Sequence, residues 1–101
     1  MTVLEKSLPA DHPAARGHFP GNPIIPGAVL LSEAVRMIEA ALGRSLSPLR
    51  IGRAKFPHPA RPGDQLHLTF RDAPGSIRFE CAVGGITVLT GELECCASSS
   101  P

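Results

Sequence analysis

Residues 28–42 read Ala28-Val29-Leu30-Leu31-Ser32-Glu33-Ala34-Val35-Arg36-Met37-Ile38-Glu39-Ala40-Ala41-Leu42, followed by Gly43. The run has no internal Pro or Gly and is rich in Ala and Leu, which lose little freedom in a helix. Gly43 is a natural stop, because it adopts the left-handed conformation that closes helices. The polar residues are only Ser32, Glu33, Arg36 and Glu39. At 100° per residue, Ser32, Arg36 and Glu39 fall within an arc of about 60°, and Glu33 lies about 100° from Ser32. A helix with so thin a polar stripe is mostly buried. The chain has 101 residues, enough for one small domain. Such a domain buries one helix on nearly all sides by wrapping a sheet around it.

The remaining sequence supplies that sheet. Residues 65–71 alternate Leu66, Leu68 and Phe70 against Gln65, His67, Thr69 and Arg71, the period of a half-buried strand. Residues 77–83 place Ile77, Phe79, Cys81 and Val83 on one face, and residues 86–95 place Leu89, Gly91, Leu93 and Cys95 on another. Pro74-Gly75 and Gly84-Gly85 read as hairpin turns. Residues 2–8 form a first strand. Residues 49–56 form a more charged one, joined to the next through residues 57–64. The predicted order is strand, long loop, buried helix and antiparallel meander. This is an α+β domain over residues 1–96, with residues 97–101 as a flexible tail.

Composition narrows the function classes. The aromatics are four Phe with no Trp or Tyr, which argues against binding single-stranded nucleic acid on stacking platforms. A net charge of +1 implies no polyelectrolyte partner, so no nucleic acid is expected. Residues 44–63 nevertheless carry five basic residues, Arg44, Arg50, Arg53, Lys55 and Arg61, and no acidic ones. That segment suits an acidic partner, or equally a solvated strand edge whose cations discourage aggregation. Three Cys without a CxxC, an N-terminal run broken by Glu5 and Lys6, and no apolar run near ~20 residues point to a cytoplasmic protein with reduced thiols and no membrane span. A chain this small is thinly stabilised alone, so oligomerisation is expected.

Between the first strand and the helix lies a loop with Pro at 9, 13, 20, 23 and 26 and Gly at 17, 21 and 27. Proline fixes φ and removes a donor, so this segment is neither a regular helix nor a central strand. It also holds Phe19, Ile24 and Ile25, which favour burial. His18 follows Gly17 in this stiffened loop, and imidazole is the side chain best suited to proton transfer near neutral pH. Pro26-Gly27 opens the apolar helix. The first N–H groups of a helix lack intrahelical partners and sit at its positive end, and Gly27 allows close approach to that backbone. A base and a carbonyl-polarising site are thus set beside apolar surface.

The loop His18-Phe19-Pro20-Gly21-Asn22-Pro23-Ile24-Ile25-Pro26-Gly27 resembles the signature of the 3-hydroxyacyl-acyl-carrier-protein dehydratases, with every fixed position present. Lys55-Phe56 and Arg61-Pro62-Gly63-Asp64 are similar to that family's stretch after the helix. The resemblance implies a hotdog fold, an antiparallel sheet wrapped around one long helix, assembling as a homodimer or trimer of dimers. It implies elimination of water from a 3-hydroxyacyl thioester to give a trans-2-enoyl thioester. His18 matches the histidine that takes the C2 proton. Gly27 matches the glycine whose N–H polarises the thioester carbonyl, with Phe19, Pro26 and Ala28 beside the substrate. No metal or organic cofactor is implied, because phosphopantetheine arrives with the substrate on acyl carrier protein or coenzyme A. The carrier is acidic, which gives Arg50, Arg53, Lys55 and Arg61 a docking role.

One position departs from the pattern. The family's helix Glu or Asp, fourteen residues after the histidine, corresponds to Ser32 here, and the next residue is Glu33. Three readings stay open. A change of register brings Glu33 in as the acid; or Ser32 orients water or the substrate hydroxyl while His18 handles both protons; or the chain keeps the acyl pocket as a catalytically weak or inactive partner subunit. Glu33 also reads as a surface or interface ion-pair residue. Arg36 stands where the family often has a neutral amide, and needs a carboxylate partner such as Glu33 or Glu39. A hotdog thioesterase is a further alternative, using Glu33 or Glu39. His12 reads as a loop cap, His58 as structural and His67 as solvated. Cys81 and Cys95 read as inward small hydrophobes, and Cys96 as an exposed bystander.

Overall fold

A computed structural model describes residues 2–8, 24–46 and 49–95. His12, His18, Phe19, Cys96 and residues 97–101 lie outside them, as do the side chains of Thr2, Leu49 and Cys95. The elements are β1 (Thr2–Ser7), α1 (Gly27–Leu42), β2 (Leu49–Lys55), β3 (Gln65–Ala73), β4 (Ser76–Val83) and β5 (Ile86–Cys95). The strands form one antiparallel sheet in the order β1-β3-β4-β5-β2.

The meander follows from period-two alternation. Leu66, Leu68 and Phe70 of β3, Ile77, Phe79 and Cys81 of β4, and Leu89 and Leu93 of β5 are all buried. Register stacks them in rows: Leu4, Leu68, Cys81 and Leu89 in one, and Phe70, Phe79, Gly91 and Ala54 in the next. Two-residue turns at Pro74-Gly75 and Gly84-Gly85 join the strands. Gly75, Gly84 and Gly85 all have positive φ, which the tight turns require and glycine supplies without strain. Pairing up to the first turn extends β3 to Ala73 and starts β4 at Ser76, slightly beyond the alternating cores. At the other edge β2 stops at Lys55, because Pro57 brings no ladder donor.

Two bulges were not visible in the alternation. The β4–β5 register shifts between Cys81 and Ala82, so Val88 is buried beside Leu89 rather than turned outward. The β2–β5 register shifts between Ile51 and Arg53, leaving Gly52 unpaired. That shift places Arg50, Arg53 and Lys55 opposite Glu94, Glu92 and Thr90, so all three basic residues share the outer face. Without the extra residue Arg50 would face the other way.

α1 begins one residue before the expected start. Pro26 is its non-helical cap residue (φ −56°, ψ 146°). At the other end Gly43 takes φ 72° and its N–H bonds to Glu39 O. Leu30, Ala34, Met37 and Ile38 join the strand residues in one hydrophobic cluster, with Val29, Leu31, Val35 and Leu42 partly buried against it. Within the single chain the sheet therefore covers one side of the helix. Ala28, Ala40 and Ala41 are exposed together with Arg36. Burial also pushes the Cys81 thiol up to about 12, with the Glu80 charge adding to the effect. Cys81 is thus an inert core residue at neutral pH.

Candidate functional site

The helix N-terminus is held by hydrogen bonds between segments far apart in sequence. Ile25 N–H donates to Ala60 O at 2.8 Å, which ties the residues before α1 to those after β2. Leu8 N–H donates to Asp64 O at 2.8 Å, and Gly63 N–H to Leu8 O at 2.9 Å, so β1 is tied to the same connection. The connection ends in a turn: Asp64 N–H reaches Arg61 O at 3.1 Å, and Arg61 N–H reaches Asp64 Oδ2 at 2.8 Å. Gly63 carries φ 90° within it. The Arg61-Pro62-Gly63-Asp64 run is therefore a brace for β1 near the site.

Between these segments opens a cleft of about 260 Å³, lined by Ile24, Ile25, Gly27, Leu30 and residues 56–60. Val29 and Leu30 N–H groups both bond to Pro26 O at 3.0 Å. Those of Gly27 and Ala28 have no hydrogen-bond partner among the described residues. The bare Cα of Gly27 faces the Phe56 ring: a Cβ there would stand 3.1–3.2 Å from three ring carbons. A side chain at position 27 would require the Phe56 ring to give by a few tenths of an ångström. Phe56 itself stays 44% exposed, apolar surface at the cleft mouth.

The two carboxylates of α1 are both occupied. Lys6 Nζ donates to Glu33 Oε1, and Arg36 stands 3.9 Å from Glu33 Oε2. Glu33 is thus the ion-pair residue expected, but at 7% exposure it is buried rather than on the surface. Lys6 reaches it because β1 alternates Leu4, Lys6 and Leu8 on the helix side while Val3, Glu5 and Ser7 are exposed. Glu39 Oε2 accepts from Leu46 N–H at 2.8 Å and so anchors the chain after the helix. Ser32, partly buried, accepts a hydrogen bond from Arg36 at 3.2 Å. Arg36 is therefore partnered as expected, by Ser32 and Glu33 together.

Breaking the Lys6–Glu33 pair leaves a buried carboxylate short of a cation. Lys6→Met is expected to destabilise by about 1–2 kcal/mol, because Lys6 is partly exposed and Arg36 remains. At 4–8 °C per kcal/mol for a domain of this size, the melting temperature falls by roughly 5–15 °C. The double variant Lys6→Met/Glu33→Leu is expected to recover most of that loss. Additive losses in thermal melts would show that the two residues do not depend on each other.

The described part of the site thus places Gly27, Ala28, Ser32 and Glu33 on one helix behind its cap residue Pro26, with Gly27 at the cleft. Arg50, Arg53 and Lys55 line the outer face of β2, with Arg50 paired to Glu94 at 3.9 Å, and Arg61 sits apart in the turn. Sequence reasoning missed Lys6, whose signal was its place between Leu4 and Leu8. It also missed Phe56 and His58 as cleft residues. His67 approaches Glu5 at 3.6 Å on the outer face. Among the described residues no helix is long and apolar enough to cross a membrane.

Comparison with known proteins assigns this architecture. The chain is 30% identical over 101 residues to the 3-hydroxyacyl-[acyl-carrier-protein] dehydratase FabZ of Haemophilus influenzae, a match covering 89% of this chain and 66% of that relative. Among solved structures, the dehydratase heterocomplex ApeI:P from Xenorhabdus doucetiae superposes with a TM-score of 0.72 at 22% identity, covering 91% of this chain and 83% of that one. The dehydratase domain of PpsC from Mycobacterium tuberculosis, in complex with C12:1-CoA, gives 0.74 at 17% identity, covering 91% and 37%. The helix and five-stranded antiparallel sheet are the hotdog fold. The family model of the ApeI-like proteins, described as ApeI dehydratase, matches residues 1–92, and the chain belongs to this dehydratase family.

Proposed function

We propose that the chain eliminates water from 3-hydroxyacyl thioesters to give trans-2-enoyl thioesters, in fatty-acid or related acyl-chain synthesis. The observation that carries this reading is the unbroken run from His18 to Gly27, leading into a helix whose first N–H groups open beside an apolar cleft. His18 takes the proton from C2. Gly27 N–H stabilises negative charge on the thioester oxygen, where an oriented amide acts most strongly. The C3–O bond then breaks, and the departing hydroxide takes a proton to leave as water. Ser32 Oγ accepts from Arg36, which leaves its O–H to orient the substrate hydroxyl by a hydrogen bond while keeping its own proton. His18 then moves both protons, at a rate below that of an enzyme with a helix acid. Glu33, held by Lys6 and Arg36, is the weaker candidate for that acid. A thioesterase that needs a helix carboxylate is disfavoured for the same reason, together with the Glu39 bond to Leu46.

The substrate arrives on acyl carrier protein or coenzyme A and brings its own phosphopantetheine. Arg50, Arg53, Lys55 and Arg61 offer the acidic carrier a basic surface, tempered by Glu92 and Glu94 across from β2. The half-covered helix and the exposed Ile51 of edge strand β2 favour pairing with a second hotdog subunit. A second reading has a specific observation behind it: both helix carboxylates are engaged, with Ser32 at the position where the resemblance expects the acid. On that reading the chain is an acyl-binding partner in a heterocomplex, the arrangement named for the ApeI:P structure.

The experiment is interconversion of 3-hydroxyacyl and trans-2-enoyl thioesters, on both carriers and over several chain lengths. Wild-type protein is expected to turn them over, and His18→Ala to lose at least ~10²-fold in kcat. Binding without turnover at every length selects the partner reading. A His18→Ala variant as active as wild type removes His18 as the base.

A further inference from the structure

Of the residues lining the helix cleft, His58 alone carries a polar side chain. It stands between Pro57 and Pro59, in a segment fixed by the Ile25–Ala60 bond at 2.8 Å. Its Nδ1 lies 3.2 Å from Thr87 O. A carbonyl oxygen only accepts, so Nδ1 carries the proton in that contact. In the tautomer that donates from Nδ1, Nε2 is the ring's hydrogen-bond acceptor. Nothing in the described residues uses that acceptor.

The other lining groups are Ile24, Ile25, Leu30 and Phe56, with prolines and Ala60. At about 260 Å³ the cleft is smaller than the ~300–1,000 Å³ of a drug-sized site, so it receives a segment of a ligand. The segment that fits is a chain of methylene groups interrupted by an N–H donor. Pantetheine has this chemistry, since amide groups divide its methylenes on the way to the sulfur. We propose that His58 Nε2 accepts a hydrogen bond from an amide N–H of the thioester's pantetheine arm, and so sets how far the arm advances toward Gly27. This makes His58 a substrate-positioning residue. It rests on the reading of the chain as a protein that takes acyl thioesters.

The test uses two S-alkyl pantetheine thioethers, which lack the thioester carbonyl and are inert to turnover. One has native amides and the other has both amides N-methylated. Wild-type protein is expected to bind the native compound more tightly than the methylated one by about three- to tenfold. His58→Asn keeps an N–H near Nδ1 for Thr87 O and loses the acceptor at Nε2. It is expected to melt near wild type and to lose the preference. His58→Gln returns an amide oxygen near Nε2 and is expected to restore it. An unchanged preference in His58→Asn overturns the inference while leaving thioester binding intact. If wild type binds neither compound, the inference falls together with the thioester reading.

Discussion

Ser32→Glu combined with Arg36→Gln is expected to raise kcat for thioester dehydration by about 10²-fold or more, the contribution of a well-placed acid. Ser32→Glu alone is expected to gain little. Arg36 already reaches Ser32 Oγ at 3.2 Å, and a carboxylate at position 32 would pair with it at helical i,i+4 spacing. A carboxylate held in an ion pair is a poor proton donor. Replacing Arg36 by a neutral amide releases it and recreates the acid and amide that the family resemblance implies at these two positions. Steady-state kinetics on the two single variants and the double variant check this. A strong gain in Ser32→Glu alone would show that Arg36 does not control the position. No gain in the double variant would show that more than the acid is missing.

Gly91→Ala is expected to destabilise the fold by about 3 kcal/mol, at the upper end of overpacking effects. Gly91 lies on the inner face of β5, between Phe79 of β4 and Ala54 of β2. A Cβ there would stand 2.6 Å from the Phe79 ring and 3.0 Å from Arg53 O. The ring fills the space above the glycine, and the carbonyl belongs to a paired edge strand, so neither retreats cheaply. Melting temperature is expected to fall by roughly 12–24 °C. Phe79→Leu in the same chain is expected to return part of the loss by removing the ring contact, while the carbonyl contact remains. An alanine variant that melts with wild type would contradict this packing.

What the residues made legible followed from local pattern. β3, β4 and β5 alternate because one face of each is buried, and their glycine turns fix the pairing. The helix was readable from its composition and from Gly43. The fate of Glu33 was not, because it depends on Lys6, twenty-seven residues earlier and on another element. The thin polar stripe counted Glu33 as polar surface, yet a cation supplied from β1 allows its burial. The bulge at Gly52 was equally hidden, since a one-residue shift leaves no mark in composition, and it gathers the basic residues on one face. Phe56 meets Gly27, and His58 joins the same cleft, only through folding, and the two prolines beside His58 suggest a structural role. The loop signature was legible as a run of residue types, and its last residue, Gly27, lines the cleft.

On the dehydratase reading proposed above, this site removes a proton from C2 with Ser32 where the helix acid is expected. Exchange of the C2 hydrogens of a 3-hydroxyacyl thioester with deuterated solvent tests it directly, because it registers proton removal even when the hydroxyl leaves slowly. Wild-type protein is expected to catalyse the exchange and His18→Ala to abolish it. A wild-type protein that binds the thioester and leaves its C2 hydrogens unexchanged and its hydroxyl in place would show that the site removes no proton from C2.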